Sequence, residues 1–241
     1  MKPSPGHFYA VGVGPGAPDL LTLRAINLIK DCDAIIAPRS NTSKSSLALA
    51  IIKQYLHNQE ILEVAYPMVR DQTHTQTTWD RVSDWVMARA SIGKSIVQIT
   101  LGDPLIYSTS NYLIAALKTR LESKYIHVVP GISAAQAMAA ICNEMLASQE
   151  DRITILSAND IEAVSKALDN SEVVAIYKVT NNIDKLINLL EQKNLLEHAK
   201  LGFAIEQESQ KLITDLHLAR EAKPGYMSVI LVRTGHRNWL S

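Results

Sequence analysis

The stretch Phe8-Tyr9-Ala10-Val11-Gly12-Val13-Gly14-Pro15-Gly16 constrains this chain more than any other. An apolar run ends in a glycine-rich turn, and a helical pattern follows. Strand, glycine loop, helix is the order by which an α/β protein brings bare backbone close to a nucleotide-like ligand. Gly12 to Ala17 formally satisfies the dinucleotide fingerprint G-x-G-x-x-G/A. Two features count against a dinucleotide. The second strand ends in Pro38-Arg39, with no acid for the ribose hydroxyls. Pro15 lacks an N–H where the loop should offer donors to a pyrophosphate. A P-loop is excluded, because no Gly-Lys-Ser/Thr follows. A tight turn without a ligand remains the alternative at this point.

The rest of the first half repeats the alternation. Strands are expected at 8–13, 34–37, 61–65, 95–100 and 126–129. Helices are expected from Pro18-Asp19 through Ile29, at 47–55, at 79–92, at 112–121 and at 132–141. Alternating strands and helices imply a parallel sheet covered on both faces. The segments 39–46 and 70–78 are polar and are expected to be loops, long enough to act as lids. In the second half, strands are expected at 152–156, 173–177 and 200–205, with helices at 161–168 and 183–192. Two closely spaced β runs follow, 211–216 and 226–233, which favours a mixed sheet with an antiparallel hairpin. The expected architecture is α/β, with two α/β domains, 1–147 (mainly parallel sheet) and 148–241 (mixed sheet).

Two later strand ends sharpen the ligand question. Leu101-Gly102-Asp103-Pro104-Leu105-Ile106-Tyr107-Ser108-Thr109 and Pro130-Gly131-Ile132-Ser133-Ala134 again put glycine at the carboxyl end of a strand. Open α/β sheets bind ligands at that edge. Three small-residue strand ends on one edge make a ligand rim.

Composition removes other classes. Of 241 residues, 47% are hydrophobic and 20% charged, and the formal net charge is zero, so no global basic field invites nucleic acid. No apolar run approaches the ~20 residues of a spanning helix. No leader with an apolar core is visible, so a cytoplasmic protein is expected. Cys32 and Cys142 form no metal spacing and read as buried thiols. The seven histidines show no paired metal spacing, so no metal site is expected; His74, in the polar segment after strand three, is the one to test for substrate contact. Trp79 and Trp85 read as helix-packing residues.

The three motifs, in this order and spacing, resemble the tetrapyrrole (corrin/porphyrin) methyltransferase family. Its members carry a GxGPGxxxLLT-like start, a GDPxxY segment and a PGIS/T segment. Here these are Gly12 to Thr22, Gly102 to Tyr107 and Pro130 to Ser133. Gly102 to Thr109 and the ending Tyr226 to Val232 are most similar to the branch that methylates C(20) of precorrin-2 or cobalt-factor II in cobalamin synthesis. The resemblance implies S-adenosylmethionine as cofactor, bound in a cleft between the two α/β domains, a tetrapyrrole substrate and a homodimer. Carried over by position, Gly12, Gly14, Pro15 and Gly16 would line the cofactor pocket. Leu101, Gly102 and Asp103 would contact the methionine portion, and Ile106, Ser133 and Ala134 would line the same pocket. Tyr177, Lys178 and Gln207 fall at positions beside the adenosine, with Pro224-Gly225 behind the adenine. Lys178 and Gln207 both depart from the family's pattern. The acid that uroporphyrinogen methyltransferases carry past strand two is absent, replaced by Pro38-Arg39.

The implied chemistry moves a methyl group from a sulfonium to an electron-rich, enamine-like ring carbon. Proximity and orientation can supply up to roughly 7–11 kcal/mol of such a barrier, so a strong general base is not obligatory. Tyr107 is the catalytic candidate, as an orienting hydroxyl, against the plainer reading of a packed aromatic at a helix start. The substrate's carboxylates call for cations, and Arg39, Lys44 and Arg70 lie on the segments that face the rim. Methylation of another ring position, a diphthine synthase, an NAD(P)-binding oxidoreductase and a non-catalytic cofactor-binding module remain the competing readings. Gly102→Val is expected to abolish cofactor binding and leave the fold intact.

Overall fold

A computed structural model describes residues 1–39, 45–66, 72–222, 225 and 227–235, apart from the side chains of 72–75 and 222. The chain divides into two compact units, Met1–Ser133 and Ala134–Ser241. The first holds five strands, β1 (Phe8–Gly12), β2 (Ala34–Arg39), β3 (Glu60–Ala65), β4 (Ile96–Thr100) and β5 (Ile126–Val129). They form one parallel sheet in the order β3-β2-β4-β1-β5.

Period-two alternation sends successive side chains to opposite faces. Tyr9, Val11, Ile35, Val97 and Ile99 pack under α1 (Leu23–Asp31) and α2 (Leu47–Ile52). Phe8, Ala10, Ile36 and Ile96 pack under α3 (Gln72–Ala90) and α4 (Ser110–Lys118). Both faces are covered, so β1 and β4 are apolar throughout except for Gln98 and Thr100. At about 25 cal/mol per Å² of apolar surface, each fully buried Leu or Ile stabilises by roughly 1.5–3 kcal/mol, which makes these two layers the source of the unit's stability.

Two local expectations need correction. The helix does not begin at Pro18. Pro18–Leu20 is a single 3-10 turn, and α1 starts afresh with Thr22 as its N-cap, whose hydroxyl accepts the Ala25 N–H at 3.2 Å. The segment 70–78 is not a loop from 72 onward, because α3 begins at Gln72. Its polar residues support the helix, as Gln76 donates to Asp80 one turn on at 2.8 Å.

The second unit starts with α5 (Ala134–Ile141), which packs on the strand at Ser228–Arg233, so this unit begins before the helix and not at the expected 148. Its strands are β6 (Ile153–Ser157), β7 (Val173–Tyr177), β8 (Ala199–Phe203), β9 (Lys211–Ile213) and β10 (Ser228–Arg233), in the order β6-β7-β10-β8-β9. The sheet is mixed: β6 and β7 are parallel, and the other pairs antiparallel. The hairpin joins β8 to β9, not the last two strands; β10 instead inserts between β7 and β8. One face packs on α6 (Ile161–Asn170) and α7 (Ile183–Gln192) through Val174, Ile176, Leu201, Ile230 and Val232. On the other, Gly202 gives α5 room: a β carbon there would lie 3.0 Å from the Met138 sulfur. Both cysteines are free; Cys32 is buried, Cys142 only half-buried. Among the described residues no helix is long and apolar enough to cross a membrane.

Candidate active site

In the first unit the loops after β1, β4 and β5 meet over the carboxyl edge of the sheet. Gly14 and Gly102 form an antiparallel bridge, with Gly102 N–H donating to Gly14 O at 2.7 Å and Gly14 N–H to Gly102 O at 3.3 Å. Both have positive φ, +75° and +72°, the left-handed region that only glycine enters freely. Gly12 and Gly131 have a different reason to be glycine. A β carbon on Gly12 would lie 2.5 Å from Gly102 O and 2.7 Å from Gly131 N and Cα. One on Gly131 would lie 2.2 Å from Gly102 O. These two glycines let three backbones touch.

Gly102 differs again. A β carbon there would find nothing nearer than Ile132 O and Ser133 Cα, both at 3.9 Å. A methyl group at Gly102 would therefore meet only ordinary contacts, on the side of Ser133 and not of Gly12. Its φ corrects the expected Gly102→Val outcome: valine would strain the backbone and cost stability as well as binding.

The aspartate after Gly102 is engaged from two sides. Asp103 Oδ1 accepts the Leu105 N–H at 2.8 Å, and Oδ2 accepts the Gly131 N–H at 3.0 Å. Further along, Ser108 Oγ lies 2.9 Å from Thr100 Oγ1 and accepts the Ser110 N–H at 3.0 Å, which fixes the entry to α4. Between them stands Tyr107, at φ 49° and 43% exposed. It precedes α4 and is not a packed helix-start aromatic. A non-glycine residue held in this region costs of order 1–3 kcal/mol and persists where its surroundings over-determine it. Pro15 is buried, Gly16, Leu101 and Ile106 are half-buried, and Ser133 is buried.

Arg39 is the last residue of β2, paired with Ala65, and so stands at the same carboxyl edge. Lys44 and Arg70 lie outside the described residues. His74 sits in the first turns of α3, not on a loop, and its side chain is likewise outside them. A feature not foreseen is a ladder of three rings. Tyr66 stacks on Trp79 at 4.2 Å, and Trp79 on Tyr112 at 5.4 Å, with interplanar angles of 21° and 22°. Trp79 packs its helix as expected; Tyr112, 60% exposed, is the ladder's outer rung. The pairing depends on a residue just after β3 meeting α3 and α4 residues far apart in the chain, so no local pattern signals it.

In the second unit the expected residues also converge on one sheet edge. β7 and β8 both run antiparallel to β10, so their carboxyl ends flank the start of β10. Tyr177 closes β7 and Lys178 follows it at φ 58°; Ala204 and Glu206, after β8, are at φ 49° and 60°. Gln207 Nε2 lies 4.0 Å from the Met227 sulfur, Ala204 N–H donates to Met227 O at 3.1 Å, and Thr180 Oγ1 donates to Gly225 O at 2.8 Å. The Tyr177 hydroxyl accepts the Ala135 N–H at 3.1 Å, satisfying an otherwise unpaired donor in the first turn of α5, next to Ala134. Among the described residues no group of three or more His, Cys, Asp or Glu side chains is placed to hold a metal ion.

Residues 7–215 match the family model of tetrapyrrole (corrin/porphyrin) methylases. The chain is 31% identical over 230 residues to cobalt-precorrin-2 C(20)-methyltransferase of Salmonella typhimurium, covering 94% of this chain and 96% of the relative. It is 33% identical over 187 residues to a probable cobalt-precorrin-2 C(20)-methyltransferase of Methanocaldococcus jannaschii, covering 77% of each. Among solved structures, a cobalt precorrin-4 methyltransferase superposes with a TM-score of 0.74 at 19% identity, over 94% of each chain, and so shares the fold.

Proposed function

This chain belongs to the tetrapyrrole (corrin/porphyrin) methylase family, and from that premise we propose that it methylates C(20) of cobalt-precorrin-2 in corrin-ring synthesis, with S-adenosylmethionine as methyl donor. The observation that carries the reading is full-length similarity: one relative of that name is aligned over nearly all of both chains. The cobalt form is preferred over the metal-free ring because the two relatives above 30% identity that align over more than two thirds of the chain carry it in their names.

The residues suit such a cofactor. Gly102, beside Ser133, offers bare backbone at the sheet's carboxyl edge, where a ligand can approach more closely than any side chain would allow. We assign Leu101, Gly102, Ile106 and Ser133 to the methionine portion, with Gly14, Pro15 and Gly16 as the adjoining wall. Tyr177, Lys178 and Gln207, on their own sheet edge with Ala134 nearby, are assigned to the adenosine. The bound sulfonium supplies an electrophilic methyl group. What the protein adds is placement: a rim of fixed backbone leaves little reorganisation at the moment of reaction. Tyr107 is held by its surroundings in a strained backbone conformation with its side chain partly in solvent, which suits a hydroxyl that orients the ring carbon. Arg39, at the carboxyl edge of β2, is assigned to a substrate carboxylate.

The test is incubation with S-adenosylmethionine and either cobalt-precorrin-2 or precorrin-2, read by product mass and by the position of a ¹³C-labelled methyl group. One methyl at C(20), faster on the cobalt form, is expected. Transfer to another carbon, or to neither ring, would refute the proposal. Calorimetry with S-adenosylmethionine and NAD separates it from an oxidoreductase, and sedimentation tests the homodimer that the resemblance implies.

A further inference from the structure

β4 and β5 are not neighbours, because β1 lies between them. Their loops nevertheless join over the end of β1, at Gly12, where the missing side chain leaves room for Gly102 O and Gly131. Asp103 makes the join. One carboxylate oxygen closes the turn of its own loop at Leu105 N–H, and the other holds Gly131 N–H on the loop after β5. Ile106 N–H, at 3.4 Å from Asp103 O, adds a turn bond to the same loop. A charged acceptor on two backbone donors makes stronger bonds than a neutral one.

We infer that Asp103 is a positioning residue: its carboxylate ties the loops after β4 and β5 into one block, and it serves cofactor binding through that block rather than by gripping the ligand's amino-acid end. This rests on the reading that the rim holds S-adenosylmethionine. The two roles predict different losses. A direct contact to the ammonium matters only to ligands that carry one. A tie between loops shapes the whole cradle, so its loss weakens every ligand that sits there.

The experiment compares wild type, Asp103→Asn and Asp103→Ala in calorimetry with S-adenosylmethionine, S-adenosylhomocysteine and 5′-methylthioadenosine, which lacks the amino-acid portion. Hydrogen exchange of the peptides covering 103–107 and 129–133 is followed in parallel. In Asp103→Asn one oxygen remains for one N–H, while the amide NH₂ faces the other. About tenfold weaker binding of all three ligands is expected, with faster exchange in both peptides and a larger effect of both kinds in Asp103→Ala. Loss confined to the two amino-acid-bearing ligands, or unchanged exchange around Gly131, would overturn the inference. If wild type binds none of the three, the cofactor reading falls, while the exchange measurement still decides whether Asp103 ties the loops.

Discussion

Replacing Gly131 by alanine builds a methyl group into space that two other backbones already fill. The new carbon would lie 2.2 Å from Gly102 O and 2.9 Å from Gly12 C and Cα. Ordinary contact needs roughly 3.5 Å, so the loop after β5 must retreat by about 1 Å. None of the opposing atoms belongs to a side chain that could swing aside. Overpacking costs about 1–3 kcal/mol where side chains can adjust; against backbone alone, about 3 kcal/mol is expected. Two other glycines calibrate the scale. At Gly202 the closest atom is Ile205 Cδ1 at 2.6 Å, the far end of a flexible side chain, so Gly202→Ala is expected to cost about 1 kcal/mol. At Gly225 nothing among the described residues lies within 4 Å, and Gly225→Ala is expected to cost close to nothing. Urea unfolding measures all three, and calorimetry should show the Gly131→Ala midpoint lower by roughly 6–12 °C, from about 2–4 °C per kcal/mol. Methyl-donor affinity should fall in the same variant, because the displaced loop carries Ser133. If Gly131→Ala is no more destabilising than Gly225→Ala, the three backbones do not meet as described and the argument for a fixed rim fails with them.

Acid should expose a second dependence. The Arg152 guanidinium, aided by its backbone N–H, holds Glu172 at about 2 against 4.5 ordinarily. The stabilisation is complete above pH 4.5 and is lost as pH falls toward 2, so Glu172→Gln should flatten the acid limb of a urea-midpoint profile; an unchanged limb would refute it. His7 Nδ1 and His127 Nε2 lie 2.8 Å apart, and burial, with the neighbouring His7, holds His127 below 6.5. A lowered histidine value means stability present above about pH 6.5 and lost below it. His127→Gln should remove the slope between pH 7 and 5, and a persisting slope would place its origin elsewhere. Arg39→Ala should raise the KM for the tetrapyrrole about tenfold and leave methyl-donor affinity intact; the reverse pattern would show that β2's end serves the cofactor. Burial pushes the Cys32 thiol up to about 12, so iodoacetamide at pH 8 should modify it only after denaturation.

The central strands were legible because burial on both faces writes them as unbroken apolar runs: β7 falls at 173–177, as its valines and isoleucine imply. The edge strand β5, less buried and broken by His127, still falls at 126–129. The start of α3 was not legible. Gln, Thr and His give no apolar period, and what holds them in a helix is an i,i+4 side-chain bond together with the packed turns at Trp79, Val82 and Val86. The hairpin was assigned to the wrong pair for a different reason. Spacing constrains which strands can pair, but the choice of β8 for β9 depends on β10 taking the place beside β7. At the rim, glycine-bearing strand ends pointed to the right edge. The reason for each glycine was out of reach, since Gly12 and Gly131 answer to each other and to the backbone at Gly102, all at separate strand ends, while Gly14 and Gly102 answer to their own φ. Tyr107's strained backbone and the Asp103 tie are likewise properties of assembled loops.

The place of β10 at the centre of its sheet has a consequence for how the protein is made. On a ribosome, chains emerge at about 5–20 residues per second. The first unit has all its strands by Val129 and can close while the rest is still being synthesised. The second cannot. β7 and β8 emerge well before the strand that separates them, and each then shows unpaired N–H and C=O groups toward a gap one strand wide. For seconds the nascent chain presents two sticky edges, the arrangement most open to a wrong strand from a neighbouring polysome. Chaperone demand during expression should therefore concentrate in this interval, and pausing between the codons for Phe203 and Ser228 should lower the soluble yield more than pausing anywhere before Val129.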